Sequence, residues 1–509
     1  MTAAPILTIE SLQNQLSSRE SKIQEQDATI LYLKEQLEWC KRQIFGKKSE
    51  RIVKDLNQDQ LKFEGFTDQS PSKAETQTIP AHERKQRSST GEDKIQLPPD
   101  LPVEKIVLDI PEDEKICKET GIPLVKIGEE ISYKLAHRPG SYYLKEIIRP
   151  KYAHPTKEER GILIASMPDS IIPKCRADES LLAKIIVEKF ADHLPLYRIA
   201  EGLSRDGIVI SRRLLSQWVV RLGDVLKPLY DEMKRLILES GHIYIDESPV
   251  KILDSPQTKQ GYMWVIAGGH GSDPPYRIYD FKEDRKHEHV PEMLQGYCGI
   301  LHSDKYGAYQ TYVRENGNVW MPCWAHIRRK FFEAEMGDRA LREWVLEQIK
   351  KLFDLEALAW QQSPEARLEI RQTQEVPLID ELIERIKKRL TEGKILPKSK
   401  FKEALGYFCS LIPYMKNYTQ HPFARIDNNV AERAIRPLAI GRKNWLFFGS
   451  LESGQSAAVL LSLVQTCRGI GVNPREYLED VFRLLMGHSS QKLRELLPDE
   501  WRRAKAAVK

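Results

Sequence analysis

Residues 242–253 read HIYIDESPVKIL, and this stretch decides the fold that the sequence predicts. Its apolar start is followed at once by Asp246 and Glu247. A second stretch, CGILHSDKYGAY at 298–309, ends its apolar run just before Asp304. Both predict buried strands that end in acids. Three further apolar runs predict strands at 262–267, 276–281 and 319–323.

The alternation of strands and short helices predicts an α/β core over residues 241–333. A carboxylate at the end of a buried strand is costly to desolvate unless it is paired or binds a metal. Neighbouring carboxylates also repel each other, and divalent cations relieve both costs. Strand alternation does not choose between Asp246 and Glu247. An N-cap, turn or salt-bridge role stays open for each acid, above all for Asp304, which precedes Lys305.

A third acid lies in RIDNNVAERAIRPLAIGRKNWLFFGS at 425–450. Asp427 and two asparagines can begin a helix, which places Glu432 one turn inside it. Arginine forks bind phosphates and aromatic rings stack on unpaired bases, so the residues that follow predict contact with nucleic acid. This set comprises Arg433, Arg436, Arg442, Lys443, Asn444 and Trp445. A surface ion pair between Glu432 and Arg436 is the plainer alternative.

The stretch CWAHIRRKFFEA at 323–334 forms a second basic cluster, where a strand gives way to a helix. Its polar members, His326, Arg328, Arg329 and Lys330, predict contact with phosphate, and His326 could also serve as a catalytic acid. A solvated helix start is the alternative. Cys323 and His326 have the spacing of two metal ligands, but no second pair follows nearby, so zinc is not expected there.

The remaining segments predict separate domains. Residues 1–50 carry an apolar heptad pattern that predicts an oligomerising coiled coil, with a helix packed on its own chain as the alternative. Residues 51–100 are rich in proline and polar residues and predict a flexible linker. A small module with strand-like alternation follows at 101–157. Residues 334–418 predict a helical insertion, and 451–509 a C-terminal helical region.

Residues 178–240 predict two helices with Gly207 between them and Ser211 as the cap of the second. This pattern is compatible with helix-turn-helix DNA binding, which would expose Arg212 and Arg213. An ordinary helical hairpin with a solvated basic face fits the same pattern.

Composition excludes several classes of protein. The 509 residues correspond to roughly three domains. The charge of 78 − 73 = +5 is modest, so nucleic-acid binding must rest on local clusters. Apolar runs are too short for a membrane helix, and 7 scattered cysteines do not form a disulfide framework. These features predict a cytoplasmic protein without a membrane partner.

Together these stretches resemble transposases of the insertion-sequence 66 family. The resemblance rests on QIFGKKSERI, IDESPVKIL, LHSDKYGAY, CWAHIRRKFFEA and DNNVAERAIRPLAIGRKNWLFFGS, in that order, with ELLPDEW near the C-terminus. It implies a multidomain α+β protein with a ribonuclease-H-like catalytic core, formed by 241–333 and 419–450. It also implies that Asp246, Asp304 and Glu432 form an Asp-Asp-Glu triad.

The resemblance further implies the activity and its partners. A triad of this kind would bind two divalent cations, Mg²⁺ or Mn²⁺, cleave double-stranded DNA at transposon ends and join the 3′ ends to target DNA. Accessory proteins and a location at the prokaryotic nucleoid are implied as well. Two alternatives stay open: a ribonuclease-H-like nuclease that does not transpose, and an inactive transposase-derived DNA-binding protein.

The module at 101–157 departs from the family pattern. It resembles a small zinc-finger-like domain that usually carries two pairs of cysteines. Here Cys117 and His154 are remnants at most, because Thr120 and Lys157 stand where further ligands are expected. A closed structural zinc site needs four ligands, so zinc binding is not expected.

Overall fold

The computed structural model describes residues 101–116, 122–138, 140–153, 162–254, 257–268, 273–393 and 395–508, with isolated positions at 19, 22, 26 and 99. The chain divides into two units, residues 1–92 with 394–399 and residues 93–393 with 400–509. The second unit is described below. The coiled-coil and linker predictions, and the remnant ligands Cys117 and His154, lie outside the described residues.

The second unit begins with a β-sheet formed by β1 (Val103–Val107), β2 (Val125–Arg138), β3 (Ser141–Ala153) and β4 (Ile162–Ile164). Strands β2 and β3 form a long antiparallel hairpin, and Gly140 in its turn has a φ of +84°, which suits glycine. Strand β1 pairs parallel with β3, and β4 pairs antiparallel with the C-terminal end of β3.

Three helices follow the sheet: α1 (Glu179–Phe190), α2 (Leu196–Arg205) and α3 (Arg212–Ile237). The side chain of Ser211 accepts a hydrogen bond from the backbone N–H of Leu214, as predicted for a cap. Gly207 lies in the turn at a φ of +75°. Helix α3 buries one apolar side and leaves Arg212 and Arg213 exposed.

The central sheet has the strand order β7-β6-β5-β8-β9. Its strands are β5 (His242–Asp254), β6 (Gln257–Ala267), β7 (Arg277–Lys282), β8 (Ile300–Ser303) and β9 (Val319–Pro322). The pairs β5–β6 and β6–β7 are antiparallel, whereas β5–β8 and β8–β9 are parallel. Along the chain, helix α4 (His289–Leu294) connects β7 to β8, and helix α5 (Gly307–Asn316) connects β8 to β9.

Helix α6 (Trp324–Glu333) leads from the sheet into a mainly helical segment. This segment contains α7 (Arg339–Ala359), α8 (Pro364–Ile370), a π-helical turn (Arg371–Glu375), α9 (Val376–Thr391) and α10 (Lys400–Leu411). A short 3₁₀ helix, Asn417–Gln420, precedes the return to the central sheet.

The chain then forms α11 (Asn429–Trp445), α12 (Leu451–Gly469), α13 (Pro474–Leu484) and α14 (Pro498–Val508). Two short 3₁₀ helices, Leu485–Gly487 and Ser490–Leu496, separate α13 from α14. Helix α12 is buried on all sides over most of its length, as expected for a helix inside a core. Within the described residues, no helix is both long and apolar enough to cross a membrane.

Helix α12 covers the edge strand β7. Hydroxyl groups of α12 accept hydrogen bonds from backbone N–H groups of β7, as the carbonyls of a neighbouring strand would. Ser462 accepts a hydrogen bond from the N–H of Tyr279 at 2.8 Å, and Thr466 accepts one from the N–H of Arg277 at 3.0 Å. Covering an edge in this way prevents unwanted strand pairing. The described part of the chain is therefore a mixed α+β fold.

Candidate active site

The central sheet brings Asp246 close to Asp304. Strands β5 and β8 run parallel, with Tyr244 opposite His302. Two residues further along each chain are Asp246 and Asp304, and a two-residue step returns a side chain to the same face of a strand. Asp304 follows the end of β8 as predicted. Asp246, however, is not at a strand end, because β5 continues to Asp254 in antiparallel pairing with β6.

Helix α11 presents the third acid to this region. Its start is fixed by Asn428, which is 1% exposed and donates a side-chain hydrogen bond to the carbonyl of Ile245 at 2.9 Å. Ile245 directly precedes Asp246. The pair of asparagines was expected only to cap the helix, but Asn428 ties α11 to β5 instead. Glu432 lies one turn further on and accordingly faces the same region.

The electrostatics of Asp246 reflect this crowding of acids. Burial raises the pKa of Asp246 to about 8, and the nearby charges of Glu247, Asp304 and Glu432 add to the effect. Its Oδ1 accepts the backbone N–H of Glu247 at 3.0 Å. Among the described residues, no side-chain donor is hydrogen-bonded to Asp246. This carboxylate therefore lacks the cation that a buried acid normally requires.

The neighbouring acid Glu247 has the partners that Asp246 lacks. Arg285 forms an ion pair with Glu247, and the hydroxyl of Tyr309 donates a hydrogen bond to it. The guanidinium of Arg285 also lies 4.1 Å from the ring centre of Tyr306. Glu247 is thus compensated within the protein, whereas Asp246 remains available for a ligand.

His326 and Glu432 face each other across the site. Nδ1 of His326 and Oε1 of Glu432 are 3.8 Å apart, which is too long for a hydrogen bond. Both atoms are buried, and no described residue offers either of them a hydrogen-bond partner. Burial lowers the pKa of His326, so the ring is largely neutral at pH 7. Two unsatisfied buried polar atoms that face each other mark this position as a candidate ligand site.

Cys323 completes a potential three-ligand group, but its chemistry is unfavourable for metal binding. Its Sγ, a ring nitrogen of His326 and a carboxylate oxygen of Glu432 lie within 4.8 Å of one another. Burial raises the pKa of the Cys323 thiol to about 12, and metals bind the thiolate. The Sγ also accepts the backbone N–H of Asn428 at 3.3 Å. Cys323 therefore acts as a packing residue at the start of α11.

A cleft of about 420 Å³ opens beside these acids. Its lining combines Asp304 and His326 with basic and aromatic side chains: Arg285, Lys305, Tyr306, Arg329, Lys330 and Tyr407. The ammonium groups of Lys305 and Lys330 lie over the ring of Tyr407, at 5.1 and 5.8 Å from its centre. The lining also includes Glu333, so its cations outnumber its acids four to two, and cations of this kind are suited to bind a phosphate.

Several of these lining residues escaped the sequence analysis. Arg285 and Tyr407 carry no motif that marks them, and Lys305 was considered only as part of a turn. The turn itself exists, because Asp304 Oδ1 accepts the N–H of Tyr306 at 2.9 Å. Asp304 therefore both forms a turn and lines the cleft.

The structure does not bring every predicted DNA-binding residue to the cleft. Arg328 is exposed but lies over the ring of Phe332 instead of lining the cleft. On α11, the residues Arg433, Arg436, Lys443 and Asn444 are exposed. Arg442 donates hydrogen bonds to Ser248 Oγ at 2.8 Å and the Pro249 carbonyl, so it ties α11 to β5.

The prediction that Trp445 stacks on a base is wrong for this structure. Trp445 is 9% exposed and stacks on Phe448, with ring centres 4.8 Å apart. Phe448 is in turn hydrogen-bonded through its backbone to Lys251 and Leu253 of β5. The dense mixture of arginine and aromatic residues has two roles here, because the aromatic rings enter the core while the cations stay outside.

Comparison with known families identifies the chain. Residues 174–456 match the model described as "Transposase IS66 family". Residues 32–106 match "Transposase C of IS166 homeodomain", and 462–498 match "IS66 C-terminal element".

Relatives in Sinorhizobium fredii (strain NBRC 101917 / NGR234) are similar over most of their length. "Uncharacterized protein y4qI" is 32% identical over 394 residues, covering 74% of this chain and 72% of the relative. "Uncharacterized protein y4hP" is 29% identical over 504 residues, covering 94% and 90%. The first family match alone spans more than half of the chain, and it contains all three acids of the site. The chain belongs to the IS66 family of transposases.

Proposed function

We propose that this protein is a DNA transposase that cleaves transposon ends and joins the 3′ ends to target DNA, with Asp246, Asp304 and Glu432 as its catalytic triad. The observation that carries the proposal is that these acids lie near one another, with no ion pair to Asp246 among the described residues. Family membership supports the activity as a class. The strand order β7-β6-β5-β8-β9, antiparallel on one side and parallel on the other, supports a ribonuclease-H-like core.

The residues present fit two divalent cations, Mg²⁺ or Mn²⁺. The raised pKa of Asp246 and the unpartnered Oε1 of Glu432 are the signs of carboxylates that lack positive charge. Asp246, Asp304 and Glu432 would hold the ions through oxygen ligands, which both metals prefer. When bound, the ions would activate the attacking oxygen and stabilise the leaving oxygen of the phosphodiester.

The remaining residues of the site would position the reactants. Lys305, Arg329 and Lys330 line the cleft beside Asp304 and would bind the phosphates that flank the scissile bond. Asn428 would fix Glu432 relative to β5 through its bond to Ile245. A largely neutral His326 would donate or accept one hydrogen bond next to Glu432, without adding charge. Water would attack the phosphodiester at the transposon end and displace the 3′-oxygen, which would take up a proton and leave as a 3′-hydroxyl. That hydroxyl would then attack a phosphodiester of target DNA, lose its proton and displace a 3′-oxygen of the target strand.

The domain assignments and the partners belong to this proposal as well. Residues 1–50 would oligomerise the protein so that two DNA ends can be held together. Residues 178–240 would contact DNA through Arg212 and Arg213, and 101–157 would fold without zinc. The protein would act at the nucleoid in the prokaryotic cytoplasm, with or without accessory proteins.

The proposal is tested by cleavage and joining of labelled duplexes that carry the terminal sequences of the element, with Mg²⁺ or Mn²⁺. Asp304→Asn is expected to abolish both steps. Asp231→Asn, an exposed acid paired with Lys227 on α3, is the matched control and should retain both. Cleavage without joining would favour the nuclease alternative. DNA binding without cleavage by the unaltered protein would favour the inactive DNA-binding alternative.

A further inference from the structure

A group of unpaired cations lies where α1, β7, α11 and α12 meet. It comprises Lys189, His193, Arg277, Arg433 and Arg468. Within the described residues, none of the five forms an ion pair. Arg433 and Arg468 are exposed, whereas Lys189, His193 and Arg277 are half-buried. Other half-buried cations of the fold are commonly paired: Lys234 pairs with Asp280 at 2.6 Å, for example.

Contacts between the elements bring these cations together. The guanidinium of Arg277 donates a hydrogen bond to the Gln465 carbonyl at 3.1 Å. Gln465 also donates to the Phe190 carbonyl at 2.9 Å, next to Lys189. Arg468 approaches the Ala191 carbonyl at 3.4 Å. Tyr279, two residues after Arg277, is hydrogen-bonded to the carbonyl of Ala434, which adjoins Arg433.

The charges of the group act on one another. Burial, and then the positive charges of Arg468 and Arg433, lower the pKa of Arg277. Burial and the charge of Arg468 lower the pKa of His193, against a smaller effect of Asp192. Burial alone lowers the pKa of Lys189 to about 8. Asp192 and Asp427 offset part of the positive charge at His193 and Arg433, but the remaining cations repel each other, and an anionic ligand would reduce that repulsion.

Arg277 is held in a definite place by its surroundings. A Cβ atom at Gly469 would lie 2.6 Å from Cζ of Arg277 and 2.9 Å from both of its terminal nitrogens. The guanidinium therefore lies directly on the glycine backbone. Helix C-termini favour nearby cations, which accounts for Lys189 and Arg468 in the last turns of α1 and α12. That effect does not account for Arg277 or Arg433.

We infer that this group, which we name the rear cationic surface, binds the sugar–phosphate backbone of duplex DNA. The inference rests on the proposed function and adds a second DNA contact outside the carboxylate cleft. Arg433 links the two regions, because it adjoins Glu432 and its charge also acts on Asp427. Backbone contacts of this kind position DNA without reading its sequence.

The salt dependence of DNA binding tests the inference directly. All proteins would be full-length and carry Asp304→Asn, so that no strand is cut. The probe is a fluorescein-labelled duplex of arbitrary sequence, followed by anisotropy over a range of salt concentrations. Each phosphate contact contributes a slope of about −0.9 in log K against log [salt]. We expect the Arg277→Met, Arg468→Met double variant to have a less negative slope. The difference should correspond to the loss of roughly two phosphate contacts.

Two further variants separate the local effect from loss of charge or of folding. Gly469→Ala keeps every charge but displaces the guanidinium of Arg277, and should reduce the slope by about one contact. Lys227→Met with Arg235→Met removes two cations of α3 that are paired with Asp231, Glu232 and Glu239, and should leave the slope nearly unchanged. Equal thermal midpoints would verify folding.

The inference is overturned if the Arg277 and Arg468 double variant keeps the slope of the control, or if the parent protein does not bind the duplex. It can also survive failure of the proposed function. A reduced slope in the double variant, together with no metal-dependent cleavage by the protein with intact Asp304, would leave the DNA contact in place and reject the catalytic role of the triad.

Discussion

Two clusters of buried acids in this protein solve the same electrostatic problem in different ways. In the helical segment, Arg371 is fully buried and binds both oxygens of Glu356, at 2.6 and 2.8 Å. It also donates to the carbonyls of Tyr418, His421 and Ala424, in the loop that leads to α11. In the candidate active site, Asp246 has no such partner among the described residues.

The two clusters differ in how the charge of a buried acid is balanced. A buried acid must be protonated, paired or bound to a cation. The helical segment supplies its own arginine, so its acids hold the loop before α11 in place. At the candidate active site, Asp246 has no such arginine among the described residues, and burial raises its pKa, so its ionised form is disfavoured there. Substitutions in the two clusters should therefore have opposite consequences for activity and for stability.

The largest expected effect is on catalysis. Asp246→Asn should reduce end cleavage by on the order of 10³-fold, since it removes an oxygen ligand from a site that stabilises both reacting oxygens. The same change should not lower the thermal midpoint, because burial raises the pKa of Asp246 to about 8 and so favours its neutral form, which the amide of asparagine matches in size and charge. Cleavage kinetics and thermal unfolding measure the two quantities. A marked loss of stability would mean that Asp246 has a structural role.

The next effect is on stability and concerns Arg371. Arg371→Met leaves the buried carboxylate of Glu356 without its cation, and should cost about 3–5 kcal/mol, as for other broken buried pairs. Arg339→Met is the matched control, because Arg339 is exposed and paired with Glu343, and should cost less than about 1 kcal/mol. Denaturant unfolding compares them. If both variants lost the same free energy of unfolding, the buried ion pair of Arg371 would contribute no more to stability than the exposed pair of Arg339.

The sequence alone predicts the strands of the central sheet from their apolar runs, but it does not predict the roles of single polar residues. The apolar runs around Asp246 and Asp304 predict the central strands, because burial on both faces demands continuous apolar residues. The same runs cannot choose between Asp246 and Glu247, since both follow Ile245. Only Arg285 and Tyr309, which are distant in sequence, distinguish the two. Arg371 gives no signal either, because an arginine in a charged helical segment is normally solvated.

The error at Trp445 has a related origin. A cation-rich segment with interspersed aromatics is typical of nucleic-acid binding, but the same rings can equally serve a core. Here Trp445 and Phe448 bury each other against β5. Spacing along one helix does not reveal which face will be covered by a strand from almost 200 residues earlier.

A smaller effect is expected on the pH dependence of stability. Burial and the charge of Glu356 raise the pKa of Glu375 from 4.5 to about 8. Between these values the folded state holds a proton that the unfolded state releases, so rising pH lowers stability across this range. Glu375→Gln should remove this part of the slope and raise the thermal midpoint at pH 9 by a few degrees. Parallel midpoint curves for the two proteins from pH 5 to 9 would contradict the assignment.

The smallest effect is expected at Glu247. Glu247→Gln retains a polar side chain that can still contact Arg285 and Tyr309, so it should reduce cleavage by about tenfold or less, as for residues outside the inner shell of a metal site. The loss of cleavage rate in Glu247→Gln is to be compared with the loss in Asp246→Asn in the same assay. A larger loss for Glu247→Gln would reverse the roles of the two acids.

Metal binding tests the central claim most directly, because it needs neither the DNA ends nor a partner protein. Calorimetric titration of Mn²⁺ into the full-length protein, with a short DNA duplex present, would be compared with the Asp246→Asn, Asp304→Asn double variant. The account predicts uptake by the unaltered protein that is lost in the double variant, while the Asp231→Asn control is unchanged. Equal uptake by all three proteins, or none by any of them, would contradict the account.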